Sequence, residues 1–154
     1  MKRFWMVGLL WLIMMPVQAA MDLPLATDLQ ALGKQAEAKQ IPIAILFTAE
    51  GLKSREKLLD EALIPELRSG ELDGKVLFVE IQANTDRVVK DFYGEPTPSR
   101  AFRQLYNLYS LPVVVFVNGE GDVLTEPLMS GAYDYYGFYL KQKIEAASQA
   151  LKAQ

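Results

Sequence analysis

Leu52-Lys53-Ser54-Arg55 stands where an apolar stretch gives way to a helical pattern. The first turn of a helix leaves backbone N–H groups without partners, and its dipole favours negative charge. Lys53, Ser54 and Arg55 add two cations and a hydroxyl, a set that suits a small anion. The competing reading is a solvated first turn in which Ser54 is an ordinary cap. Other chemistry is closed off by what is missing. The chain contains no cysteine and no histidine, which removes the thiol nucleophile, the usual base near neutral pH and the two best zinc ligands. Asp86 and Asp122 have no ligand spacing around them, and a calcium loop has a far denser oxygen pattern. No metal and no cofactor is expected.

The elements that must position these residues follow from hydrophobic patterning. Thr27 with Gln30 is a capping-box signature for a helix running to about Lys39. Pro42 to Phe47 reads as a strand buried on both faces. A second helix, about Leu52 to Arg68, carries the stripe Leu59, Leu63, Leu67, and Pro65 should kink it. Lys75 to Ile81 is a strand, and 83–95 is a polar connection. Thr97-Pro98 opens a third helix running to about Asn107. Val113 to Val117 is an apolar strand, and Asn118-Gly119-Glu120-Gly121 turns it into an antiparallel strand from Asp122 to Pro127. The last helix, about Asp134 to Lys152, places Leu140, Ile144, Ala147 and Leu151 on one face. Its aromatic group, Tyr133, Tyr135, Tyr136, Phe138 and Tyr139, exceeds what one face can bury. Packing with incidental exposure is the plainer account of it, and an interface the sharper one. The order α-β-α-β-α-β-β-α predicts an α/β fold whose earlier strands are parallel, with a final hairpin that makes the sheet mixed.

The chain has 154 residues, 51% of them hydrophobic and 23% charged, which fits one globular domain. Its ends differ in character. Lys2 and Arg3 precede the apolar run Phe4 to Met15, Pro16 breaks that run, and Val17 and Ala19 supply small residues for cleavage after Ala19. This is the layout of a secretory signal peptide. As a helix the run reaches only ~18 Å, against a hydrocarbon core of ~30 Å. The expected organisation is a signal peptide at 1–19 and one domain at 20–154, delivered to the periplasm with no stable membrane insertion. Sixteen basic residues against 19 acidic ones give a net charge of −3, and losing Lys2 and Arg3 makes the remainder more acidic. Nucleic acid is therefore not an expected partner.

Two stretches carry a likeness to a known family. Leu105 to Leu124 resembles the part of thioredoxin in which a helix ends, a cis-proline begins a buried strand ending in Phe, and a glycine hairpin follows. Leu46 to Leu67 resembles periplasmic thioredoxin-related proteins, whose strand ends in Leu-Phe-Ser or Leu-Phe-Thr before a C-x-x-C motif and a proline-bearing helix. Asp86 to Pro98, with Asp91-Phe92-Tyr93-Gly94, is similar to the same subgroup. The resemblance spans about residues 27–152 and implies a thioredoxin-like three-layer fold with Pro112 as the cis-proline. It also puts Leu52 and Arg55 at the two redox-cysteine positions, so the family's thiol–disulfide chemistry does not carry over.

What the resemblance leaves is a binding surface. In that fold the backbone of Ser110-Leu111, just before Pro112, faces the former active site and can pair with an extended peptide. The expected function is a redox-inactive, non-catalytic module that binds a protein or peptide partner through Ser110, Leu111 and Pro112. The alternative is an accessory domain taking a small anion at Leu52, Lys53, Ser54 and Arg55. Glu50, Asp91 and Glu95 are the carboxylates nearest that surface; acid–base work by a pair of them is a third reading, with surface charge the ordinary explanation.

Overall fold

The computed structural model describes residues 23–131 and 133–154. The expected signal peptide at 1–19 lies outside them. The elements are α1 (Leu29–Lys39), β1 (Ile43–Thr48), α2 (Lys53–Leu58), a π-helical turn (Leu59–Leu63), α3 (Ile64–Arg68), β2 (Leu77–Gln82), β3 (Val88–Lys90), β4 (Pro96–Pro98), α4 (Ala101–Leu105), β5 (Val113–Val117), β6 (Leu128–Met129) and α5 (Tyr133–Lys152).

Four strands form a mixed sheet in the order β2-β1-β5-β6. All of β1 and all of β5 are buried, as sequences apolar at every position require when both faces of a sheet are covered. Alternation then sorts their side chains into two cores. Ala44, Leu46, Val114 and Phe116 pack with Leu58, Leu63, Tyr136, Leu140 and Ile144 on one face. Ile43, Ile45, Phe47, Val113, Val115 and Val117 pack with Leu29, Ala36 and Phe102 on the other. The result is three layers, with α2, α3 and α5 on one side of the sheet and α1 and α4 on the other.

The structure corrects the expected elements at five places. Asp28, not Thr27, caps α1; its carboxylate accepts the Ala31 N–H at 2.9 Å. The long second helix absorbs Pro65 through the π-helical turn before it, which relieves the clash between the proline ring and the preceding turn. The polar connection contains an antiparallel hairpin, β3 with β4, and Thr97-Pro98 pairs in it instead of opening a helix. The strand expected at Asp122 to Pro127 is reduced to one bridge, Val117 to Val123, and the paired residues of β6 come later. Finally, only β1 and β2 are parallel, because β5 enters antiparallel to β1. β2 ends level with Thr48 and β5 begins beside Phe47, so the connection carrying β3, β4 and α4 returns at the same end of the sheet that it left.

Each edge of the sheet is treated differently. Along β2, the Ala26 N–H donates to the Glu80 carbonyl at 2.8 Å and the Glu80 N–H donates to the Pro24 carbonyl at 2.9 Å. The segment before α1 therefore seals that edge. The other edge is β6, two residues long.

Candidate functional site

The loop entering α2 is held from both sides. The Glu50 N–H donates to Asn84 Oδ1 at 2.7 Å, Asn84 Nδ2 donates back to the Glu50 carbonyl at 3.2 Å, and the Ala83 N–H reaches the Thr48 carbonyl at 2.8 Å. Gly51, at φ 79°, takes a left-handed turn that a side chain would strain. Leu52 is the N-cap of α2 in extended backbone, with no side chain capping the helix. The Arg55 N–H closes the first turn onto the Leu52 carbonyl at 3.0 Å.

Arg55 does not face solvent as an anion site would need. Its Nε donates to Glu80 Oε1 at 2.6 Å and its Nη2 donates to Glu80 Oε2 at 2.7 Å. Thr48 Oγ1 donates to Glu80 Oε1 at 2.6 Å. Glu80 is fully buried, whereas the Arg55 side chain keeps 20% exposure. This is a two-pronged guanidinium–carboxylate pair, the strongest common form of the interaction. It fills the place that the family resemblance gives to the second cysteine. Lys53 is left exposed and Ser54 half-buried, without the second cation that the anion reading relied on.

Glu80 and Thr48 were not among the residues singled out from the sequence. The available signal was a lone carboxylate inside the apolar stretch Val76 to Ile81, a position that demands a cationic partner when buried.

The carboxylates considered for acid–base work fall on two loops. Asp91 folds back on its own turn, accepting the N–H groups of Tyr93 and Glu95 at 2.9 Å and the Thr97 hydroxyl at 3.3 Å. Glu95 shares that turn, while Glu50 lies in the loop fastened to Asn84. Asp86 pairs with Arg100 at 3.0 Å, and Asp122 accepts from Asn118 Nδ2 at 3.3 Å. Among the described residues no group of three acidic, His or Cys side chains is placed to hold a metal ion.

On the far side of β1, the chain approaches β5 through Ser110, Leu111 and Pro112. The Leu111–Pro112 peptide bond is cis. Pro112 is buried, Leu111 rests half-buried against the α1 and α4 core, and Ser110 is exposed. Among the described residues, no hydrogen bond engages the backbone of Ser110 or Leu111. Beside them lies a cavity of about 140 Å³, walled by Tyr109, Ser110, Val113, Val123, Pro127 and Met129. Tyr109 is 91% exposed at its mouth. Tyr106 closes the floor, donating its hydroxyl to the Gly121 carbonyl at 2.9 Å. Burial first, and then the nearby charge of Asp122, pushes that phenol above its ordinary pKa.

No family model and no curated protein matches the chain. Among solved structures it is similar to the DsbH oxidoreductase, with 19% identity over 90% of this chain and 95% of that one, at a TM-score of 0.54. It is also similar to the C-terminal domain of DsbD from Neisseria meningitidis in the oxidised form, with 20% identity over 77% and 98% of the two chains and a TM-score of 0.52. A third is oxidised mitochondrial thioredoxin 3 from Saccharomyces cerevisiae, at 14% identity, 80% and 93% coverage and a TM-score of 0.50. At these identities the likeness is one of fold.

Proposed function

From a thioredoxin-like fold that holds no thiol, we propose that this chain is an exported, redox-inactive module that binds an extended segment of another protein in the periplasm. Thiol–disulfide exchange needs a thiolate, and the chain has no sulfur outside methionine. The former redox helix is occupied by an internal ion pair, so its inner end has no group to offer a substrate. One observation carries the binding reading: the backbone of Ser110 and Leu111 is unpaired next to an apolar cavity. Unused main-chain N–H and C=O groups beside a pocket are what an added peptide strand requires, with the main chain giving affinity and the pocket giving selectivity. The basic start, short apolar run and small residues before position 20 support export.

Two measurements test this reading. Titration with a neutral, blocked extended peptide of alternating Val and Ser, followed by NMR, should perturb Ser110, Leu111 and their neighbours. Leu111→Asp should weaken that binding about tenfold, by setting a charge against an apolar contact, while the fold persists because Leu111 is only half-buried. Shifts confined to other surfaces, or equal affinity in the Leu111→Asp variant, would remove the site. Separately, intact-mass analysis of the protein recovered from the cell envelope should show an N-terminus at Ala20. A chain still beginning at Met1 in the membrane fraction contradicts the export reading.

A further inference from the structure

The N-terminal half of α5 presents aromatic rings to solvent that no element among the described residues covers. Tyr136 and Leu140 point into the core, while Tyr135, Phe138 and Tyr139 are 66%, 61% and 47% exposed. Their i, i+3, i+4 spacing puts the three on one face. Phe138 and Tyr139 meet edge to face with centroids 5.5 Å apart, which holds the rings as a pre-formed surface. Alongside them runs a cleft of about 270 Å³ between α5 and the π-helical turn, lined by Glu61, Pro65, Glu66, Tyr133, Asp134 and Phe138 among others. Its charged residues are all acidic. Glu66 is already matched by Lys141 at 3.1 Å. Glu61 and Asp134 have no ion-pair partner among the described residues. At the cleft's edge the Lys57 ammonium lies 5.2 Å from the Tyr133 ring centroid, so a ring on this surface already takes a cation on its face.

We propose that the Tyr135–Phe138–Tyr139 face and its acidic cleft dock a basic segment of a partner protein. An arginine or lysine enters the cleft against Phe138, Glu61 and Asp134 neutralise its charge, and flanking apolar residues cover the exposed rings. Charge decides the occupant: an acidic segment or an anionic membrane surface would meet two unpaired carboxylates. Tyrosine and phenylalanine are enriched at protein interfaces, and arginine is among the residues that anchor them from the partner's side. This surface is distinct from the Ser110–Leu111 edge, and the proposal stands independently of that reading.

The test uses a blocked peptide with two arginines spaced between leucines and alanines, its citrulline counterpart and its glutamate counterpart, titrated calorimetrically into the purified protein. The arginine peptide should bind about tenfold more tightly than the citrulline peptide and weaken as salt rises, and the glutamate peptide should not bind. Phe138→Ala and Tyr135→Ala should each cost about tenfold, and Asp134→Asn about threefold. All three positions are exposed, so circular dichroism should remain that of the parent. Leu111→Asp should leave this binding unchanged. Equal affinity for the three peptides, no binding, indifference to Phe138→Ala and Tyr135→Ala, or loss on Leu111→Asp each overturns the proposal. So does a self-associated protein that Phe138→Ala dissociates, because the face would then belong to a second copy of the chain.

Discussion

Arg55→Ala is expected to destabilise the protein by about 3–5 kcal/mol, since it leaves a fully buried carboxylate with one hydroxyl as its remaining side-chain donor among the described residues. The attraction between Arg55 and Glu80 is not itself the size of this effect. Most of the loss comes from the desolvated Glu80 charge once its partner is gone. The prediction therefore has a companion of opposite sign. Replacing both residues with leucine should restore stability to near the parent or above it, because a packed apolar pair escapes the desolvation cost altogether. Urea unfolding of the parent, Arg55→Ala, and the Arg55→Leu, Glu80→Leu pair would read this directly. A single variant within about 1 kcal/mol of the parent would mean that Glu80 finds water or another donor. A total stability of ~5–15 kcal/mol is usual for a domain, so the single variant also stands to lose much of its folded population at growth temperature.

The second large effect is a gain. Leu52→Cys with Arg55→Cys, combined with Glu80→Gln to avoid the orphaned charge, should yield a protein that closes a disulfide under mild oxidant and reduces insulin with a thiol donor. The parent should show neither property. Leu52 and Arg55 are one helical turn apart, joined by the Arg55 N–H to Leu52 carbonyl bond, and residues at that spacing have side chains within reach of one another. A cysteine at position 52 would sit at the cap of α2, where free N–H groups favour the thiolate. Intact mass before and after oxidation reports closure as the loss of two hydrogens. Two titratable thiols after oxidation would show that the tetrad is out of register with the redox motif it resembles.

These two predictions differ in how far the sequence alone could have carried them. The tetrad at 52–55, the apolar strands around Ile45 and Val115 and the final helix with Leu140 and Ile144 could be read from local pattern, because periodicity and turn residues are written within a few positions. The Arg55–Glu80 pair could not. Its members are 25 positions apart, and they meet only because β1 and β2 pair in parallel with Leu46 opposite Glu80. Viewed alone, Arg55 is a helix-surface cation and Glu80 a charge in a strand. The β3–β4 hairpin was hidden for the opposite reason: Pro96 and Pro98 argue locally against a strand. A short edge pair tolerates them because a missing N–H can face outward there. The antiparallel entry of β5 depends on the end of the sheet at which the connection through β3, β4 and α4 returns, and nothing in β5's own composition marks it. On α5 the aromatic excess was visible in the sequence, but which rings are covered depends on where the helix lies against the π-helical turn.

The sheet's two edges have a consequence for how the protein behaves when it is crowded. Open strand edges are templates on which chains stack into aggregates. Here the β2 edge is consumed by the chain's own residues before α1. The opposite edge offers only Leu128 and Met129, with Pro127 immediately before them. Two residues are too few to seed a growing ladder, and a proline cannot donate to extend one. Among the described residues, the edges of this sheet offer little for copies of the chain to polymerise upon.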